Sequence, residues 1–484
     1  MLDVVLFCEG TYPYVSGGVS SWIHALVEGM PDLKFGLVYL LPSRSTERRP
    51  KFTVPDSVQE ILEVYLYDVV PVPQSRRKTP DARAWEATEQ FFRGILKGKI
   101  EDFPAIFPHL SGLSIHQLAY SRQSWDILTK IYQEIAPDFP FSDFFWNWRF
   151  MCFPLLQLLQ VPIPEARCYH TVTTGWSGLL GVLAKLRSGR PLLLTEHGIY
   201  TNERRIEIVQ ADWIYVERGG DLRSDSFGIL KSMWIHLFQS LGQLCYDSSD
   251  RIYTLFEGNR RLQIESGADP EKIEILPNGV HLDRFCPPNQ PPPPREFSLG
   301  FVGRVVPIKD VRSFVEACRL LLDHGVRATA YIIGPTEEDP DYFHGCQTLA
   351  EMLGIQQSIR FLGPQNVRDW YPQLDVLVLT SVSEGQPLVI LEGFCYGLPC
   401  VATDVGACSE LIYGREGEDR ALGSAGFVTR VGAPAETAQA LLQLAEDQDL
   451  RQRMGRSGQE RVRRYYDFAD LRRRYHQIYQ EKGA

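Results

Sequence analysis

Phe297-Ser-Leu-Gly-Phe-Val-Gly-Arg-Val-Val-Pro-Ile-Lys-Asp310 reads as a buried strand, a glycine turn carrying two cations, and the cap of a helix. Phe297–Val302 is apolar without strict alternation, the pattern of a strand covered on both faces in a parallel sheet. Asp310 is placed to cap a helix over Val311–His324, because its carboxylate can accept from a first-turn N–H that has no helical partner. The pattern repeats downstream, with short apolar runs at Thr329–Ile333, Ile359–Leu362, Val376–Leu379 and Pro399–Ala402 and helical segments between them. Strands of this length alternating with helices predict βαβ units, so residues 297–465 are expected to form one Rossmann-like domain.

Upstream, Cys286-Pro-Pro-Asn-Gln-Pro-Pro-Pro-Pro-Arg295 holds six prolines in ten residues. Such a run continues neither a helix nor a central strand, so residues 286–296 are expected to be a stiff linker. Before it, Asp3–Phe7, Phe35–Leu41, Cys168–Tyr169, Pro191–Thr195 and Arg251–Leu255 read as further strands, with a helix over Val19–Met30. Residues 1–285 are therefore expected to form a second Rossmann-like domain, interrupted from about 75 to 164 by a helical insertion rich in aromatics, among them Trp85, Trp125, Trp146 and Trp148. That aromatic stripe reads either as core or as a layer that docks a partner. Residues 466–484 are expected to form a terminal helix crossing back to the first domain. The architecture expected is α/β, two Rossmann-like domains facing a cleft, with ligands at the carboxyl ends of the strands.

Composition narrows the functional classes. The chain of 484 residues is 44% apolar and 23% charged, ordinary for a globular protein with large cores. Fifty basic against sixty acidic residues give a net charge of −10, which argues against a nucleic-acid partner. Met1–Glu9 has no basic segment and carries Asp3 inside its apolar run, and no stretch approaches eighteen apolar residues, so a cytoplasmic location is expected. Ten cysteines are scattered without a Cys-x-x-Cys, so neither disulfides nor a zinc site is expected, and no metal is assigned. The fingerprints of a dinucleotide fold, a P-loop and a hydrolase elbow are missing.

Two segments carry candidate chemistry. Arg304 and Lys309 fall in a strand-to-helix loop, where cations beside a helix N-terminus form a site for a diphosphate; as exposed loop charges they would have no such role. The second segment is Ser381-Val-Ser-Glu-Gly-Gln-Pro-Leu-Val-Ile-Leu-Glu-Gly393. Glu384 and Gly385 follow a strand, Pro387 suits the first helical position, and Glu392 falls among Leu388, Val389, Ile390 and Leu391. A carboxylate so placed needs a partner, and sugar hydroxyls would supply one, unless Glu392 only closes a solvent-facing stripe.

Glu384-x7-Glu392, with Arg304, Lys309, Pro277-Asn-Gly-Val280 and Val401-Ala-Thr-Asp-Val-Gly406 in order, resembles the family-4 retaining glycosyltransferases of GT-B fold. The opening Phe7-Cys-Glu-Gly-Thr-Tyr-Pro-Tyr-Val-Ser-Gly-Gly18 and Thr195-Glu-His-Gly-Ile-Tyr-Thr-Asn-Glu-Arg204 resemble the glycosyltransferases of bacterial Pel exopolysaccharide synthesis. The resemblance implies transfer of a hexose or N-acetylhexosamine from a UDP-sugar to a growing exopolysaccharide, with no cofactor, beside an inner-membrane polysaccharide synthase complex. Arg304 and Lys309 would neutralise the leaving diphosphate in place of a metal. Glu384 would hold donor sugar hydroxyls, and the turn Gly385, Gln386, Pro387 and Leu388 would meet sugar and phosphate. Glu392 would hold the ribose, and Leu362 would lie against the base. Gly17 and Gly18 would admit the diphosphate, with His170 or His197 beside the sugar. Retention would follow front-side attack, the leaving phosphate accepting the proton. A non-catalytic nucleotide-sugar-binding scaffold and a UDP-sugar epimerase remain as alternatives.

Overall fold

The computed structural model describes residues 1–15, 17–45, 49–68, 82–211, 214, 228–285 and 296–483. The proline-rich run 286–295 and the first residues of the expected insertion, 75–81, lie outside them. The chain divides into two compact units: residues 1–254, 259–275 and 475–484 form the first, and residues 255–258 and 276–474 the second. The last helix, Phe468–Gly483, thus contributes its end from Tyr475 onward to the first unit.

In the first unit, seven strands form one sheet: β1 (Leu2–Glu9), β2 (Phe35–Leu41), β3 (Val58–Tyr65), β4 (Ala166–Thr171), β5 (Leu192–Glu196), β6 (Arg251–Thr254) and β7 (Ile273–Ile275). Their order is β3-β2-β1-β4-β5-β6-β7 and every pairing is parallel. In the second unit, β8 (Phe297–Val302), β9 (Ala328–Ile333), β10 (Ile359–Gly363), β11 (Val376–Leu379), β12 (Cys400–Thr403) and β13 (Gly426–Thr429) form a six-stranded sheet in the order β10-β9-β8-β11-β12-β13, again all parallel. Both orders reverse after the first strand, as in doubly wound dinucleotide folds, and ligands of such sheets bind at the carboxyl ends of the strands flanking the reversal. In the first unit those strands are β1 and β4, and in the second they are β8 and β11.

The central strands form for the reason the sequence suggests: Val4, Val5, Leu6 and Phe7 of β1 and the whole of β11 are buried on both faces. Three strands had no such signature. β3, β7 and β13 lie at sheet edges, where β3 is half solvated and the other two are three and four residues long. β3 carries Gln59 and Glu60, β7 is interrupted by Glu274, and β13 begins with Gly426 and ends with Thr429, so none shows an unbroken apolar run.

The insertion begins its described part with the helix Ala82–Leu96 and ends with the helix Phe141–Leu158. Its inner aromatics are core: Phe92 and Phe144 pack on Trp148 with ring centroids 5.0 and 6.0 Å apart, continuous with the sheet's own core. Its outer aromatics Tyr120, Trp125, Trp146 and Phe150 remain exposed.

The second unit closes on Arg461, which is fully buried in the helix Gln448–Tyr465. Its guanidinium donates to Asp419 Oδ1 at 2.6 Å and to the carbonyls of Leu411, Ile412, Asp419 and Gly423. These bonds gather carbonyls from the end of the helix Cys408–Tyr413, from the short helix Glu418–Ala421 and from the turn after it. Replacing Asp419 with Ala leaves a buried cation without its counter-charge and is expected to cost about 3–5 kcal/mol, measured by urea unfolding. An exposed pair in the same C-terminal region, broken by Arg464→Ala, should change stability by less than about 1 kcal/mol.

Candidate active site

The loop after β8 is built as a cradle. Gly303 N–H donates to Ile333 O at 2.9 Å, the short 3-10 turn Pro307–Lys309 follows, and Asp310 caps the helix Val311–Asp323, accepting from Ser313 N–H at 3.3 Å and Ser313 Oγ at 2.5 Å. The loop after β11 is tied to it. Thr380 Oγ1 donates to Asp310 O at 2.8 Å, and Val382 N–H donates to Ile308 O at 2.9 Å. These ties set the side chains: Lys309 Nζ lies 2.5 Å from Glu384 Oε1, which also accepts from Ser381 Oγ at 2.6 Å. Glu384 Oε2 has no partner among the described residues.

Arg304 stands in the same loop but is half exposed, and its guanidinium bonds the Glu338 carboxylate at 2.5 and 2.7 Å. Gly385 is held by the loop after β12, where Ala407 N–H donates to Gly385 O at 2.8 Å. Gly406 makes this approach possible: its φ is +54°, and a Cβ there would lie 2.2 Å from Gly385 O and 2.3 Å from Glu384 O. Gln386 is buried and locks the Pro277-Asn-Gly-Val280 segment, accepting from Asn278 N–H at 2.7 Å and donating to Asn278 O at 3.1 Å. Pro387 precedes the helix Leu388–Cys395 instead of opening it, with extended backbone at ψ 107°.

Glu392 lies in the second turn of that helix and finds a protein partner, the buried Tyr371, whose hydroxyl donates to Oε2 at 2.6 Å. Burial raises the Glu392 pKa, and Oε1 has no partner among the described residues. Leu362 is half-buried near the end of β10. The structure therefore joins Lys309, Glu384 and Ser381 directly and Gly385 through its backbone, while Arg304 is engaged by Glu338.

In the first unit, Gly17 precedes and Gly18 opens the helix Gly18–Glu28, and an added Cβ at either would meet nothing within 4 Å. His170 is fully buried, its Nδ1 2.7 Å from Tyr479 Oη and its Nε2 2.8 Å from Thr195 Oγ1, which in turn bonds Tyr475 Oη at 2.8 Å. Both ring nitrogens are thus consumed in joining β4, β5 and the last helix. His197 differs: its ring stands edge-on to Trp22 at 4.8 Å, and neither nitrogen has a hydrogen-bond partner among the described residues. Burial pulls His170 down to about 3 and His197 down to about 4, so both are neutral at ordinary pH.

Two carboxylates to which the sequence reading assigned no role sit at strand ends here. Glu9 closes β1 and accepts from Tyr200 Oη at 2.5 Å and Ser177 N–H at 3.2 Å. Glu196 closes β5 and accepts from Tyr246 Oη at 2.7 Å and Gln263 Nε2 at 2.8 Å. Burial raises both pKa values. The signal available was position, an acid as the last residue of an apolar strand. No group of three or more His, Cys, Asp or Glu among the described residues could hold a metal ion.

Two doubly wound units, the second with a cation–carboxylate pair at its strand-order reversal, define the class of GT-B glycosyltransferase folds. Residues 2–271 match the family model described as Domain of unknown function (DUF3492), and the chain belongs to that family. Residues 296–447 match the model described as Glycosyl transferases group 1. The D-inositol 3-phosphate glycosyltransferase of Streptomyces scabiei is 32% identical over 205 residues, 39% of this chain and 44% of that protein. Its Streptomyces avermitilis counterpart is 28% identical over 298 residues, 58% of each chain. The chain thus spans about half the length of these curated relatives. Among solved structures, Anabaena HepE in complex with UDP and glucose has a TM-score of 0.59 at 13% identity, over 99% of both chains. Sucrose-phosphate synthase of Thermosynechococcus elongatus has the same TM-score and identity, over 99% of this chain and 98% of its own. These likenesses establish the fold.

The buried histidines set a pH dependence. Unfolding frees each to titrate near its ordinary 6.5, so the unfolded chain binds protons that the folded chain refuses. Their contribution is complete above that value and is lost as pH falls towards the depressed folded values. For His170 the loss between neutrality and about pH 5 is about 2 kcal/mol. The slope of urea-unfolding stability against pH in that window should flatten in His170→Asn relative to the parent chain.

Proposed function

We propose that the chain is a metal-independent retaining glycosyltransferase that moves a hexose or N-acetylhexosamine from a UDP-sugar to a growing exopolysaccharide of the Pel type. The observation that carries this reading is the Lys309–Glu384–Ser381 constellation at the ends of β8 and β11. A cation there offsets negative charge as it develops on a leaving diphosphate, which is the main electrostatic task in such a transfer. Arg304 adds a second positive charge once it exchanges the Glu338 carboxylate for phosphate oxygens. Glu384 Oε2 and Glu392 Oε1, each without a partner, accept from donor sugar and ribose hydroxyls in turn. Backbone N–H groups of the Gly385–Leu388 turn meet sugar and phosphate, and Leu362 at the end of β10 lies against the base.

On the acceptor-side unit, the assignment to the sugar goes to His197, whose ring nitrogens are unused, and Gly17 with Gly18 leaves the start of a helix open to the diphosphate. His170 acts by holding β4, β5 and the terminal helix together. The acceptor hydroxyl attacks the anomeric carbon on the face the diphosphate leaves, and the leaving phosphate oxygen takes the acceptor's proton. The match of residues 296–447 to group 1 glycosyl transferases supports this reading, as does the UDP and glucose held by HepE. No helix among the described residues is long and apolar enough to cross a membrane, and association with an inner-membrane synthase complex would use partner proteins or the amphipathic surface of the chain.

UDP release across a panel of UDP-hexoses and UDP-N-acetylhexosamines, with EDTA present, tests the proposal. One donor should turn over, and Lys309→Ala and Glu384→Ala should each lower kcat/KM by about 100-fold or more. Arg473→Ala, at an exposed position paired with Asp470, should leave turnover unchanged. UDP binding that Glu384→Ala does not alter, with no turnover of any donor, would identify a scaffold instead.

A further inference from the structure

The helical insertion of the first unit contains a cavity of about 590 Å³ that the proposed chemistry does not use. This volume falls in the range of small-molecule sites. Its floor is hydrocarbon and aromatic, formed by Phe92, Leu128, Trp148, Cys152 and Leu156. Three hydroxyls along the wall are engaged locally: Thr88 Oγ1 donates to Ala84 O at 2.8 Å, Ser121 Oγ accepts from Ser124 N–H at 3.1 Å, and Ser124 Oγ donates to Gln117 O at 3.3 Å. The hydroxyl protons of Thr88 and Ser124 are thus taken by backbone carbonyls.

The rim has a different chemistry. Tyr120 and Trp125 stand there exposed, and the charged lining residues are two arginines, with no carboxylate among the residues that line the cavity. Arg149 lies over the rings of Tyr120 and Phe153, its guanidinium carbon 5.5 and 5.6 Å from their centres. Its one hydrogen bond among the described residues is to Tyr120 Oη, at 3.3 Å. It therefore has no carboxylate partner there, unlike Arg93 on the neighbouring helix, which is paired with both Glu89 and Glu134. Arg122 lies 4.0 Å from Asp126, and both are largely exposed.

A dry apolar pocket with a positive, aromatic rim fits one kind of molecule. We propose that this cavity binds a single anionic amphiphile, its hydrocarbon chain in the pocket and its phosphate or carboxylate head on Arg149, with Arg122 as a second cation. Burial of the chain supplies the affinity, and a bidentate charge-assisted contact to the guanidinium fixes the orientation. Phospholipids and free alkyl phosphates share this chemistry, and the proposal is for the monomer in the cavity, not for adsorption to a bilayer.

The test is titration calorimetry of the full chain with dodecyl phosphate below its micellar concentration, with dodecanol, inorganic phosphate and anionic phosphatidylglycerol vesicles as comparators. Saturable binding of one dodecyl phosphate per chain is expected, with dodecanol weaker by about tenfold and no binding of phosphate alone. Arg149→Gln should weaken dodecyl phosphate by about tenfold and leave dodecanol unchanged. Ala119→Trp, which adds bulk at a half-buried lining position, should abolish both while the unfolding temperature stays within about 3 °C of the parent. Absence of saturable binding, equal affinity for the alcohol and the phosphate, indifference to Arg149→Gln, or binding of vesicles alone would each overturn the assignment.

Discussion

A parallel sheet can exist here only because both of its faces are covered. Most crossovers between the parallel strands return along the sheet as helices, and these helices hide the strands from water. The consequence is a strict segregation of residue types. The middle of every central strand must be apolar, so polar chemistry is displaced to the strand ends, where backbone groups emerge and loops begin. Glu9, Glu196, Lys309 and Glu384 all obey this rule, lying at or just beyond the carboxyl ends of β1, β5, β8 and β11. Because both sheets reverse order beside their first strand, two such loops diverge to opposite faces and leave room between them.

The two units use that room differently. In the second, the charged groups at the reversal are paired but accessible: Lys309 and Glu384 retain side-chain exposures of 21% and 11%, and the Arg304–Glu338 pair is about half exposed. The more exposed Arg304–Glu338 pair is the weaker of the two, since a solvated ion pair contributes little. In the first unit the strand-end acids are sealed. Glu196 is buried and Glu9 half-buried, and both are raised in pKa and accept from hydroxyl and amide donors, which makes them supports for the loops around them. The terminal helix adds the Tyr479–His170–Thr195–Tyr475 chain, a hydrogen-bonded link between segments more than 270 residues apart in sequence.

Much of this was legible in the sequence. Phe297–Val302, Val376–Leu379 and Phe35–Leu41 were read to the residue, because each is a predominantly apolar run with residues of another kind at its ends. Asp310 caps its helix as its position suggested. The loops carrying Arg304, Lys309 and Glu384 were placed by the same logic, since any residue that follows such a strand must lie at the sheet's carboxyl edge. The edge strands β3, β7 and β13 escaped because polar or glycine residues break their apolar runs.

What the sequence determined by itself was the set of units and the edge on which polar side chains emerge, since both follow from local apolar periodicity. Partnership was decided only in three dimensions. Arg461 belongs to an arginine-rich stretch with every mark of a solvated helix face, yet it is the buried centre of the Asp419 network. His170 lies within β4 and His197 just beyond β5, in similar surroundings, yet among the described residues one spends both nitrogens and the other neither. Tyr371 was invisible as the partner of Glu392. Each distinction depends on which side chain from a distant segment arrives within about 3 Å, a length at which hydrogen bonds form or fail and on which sequence spacing is silent.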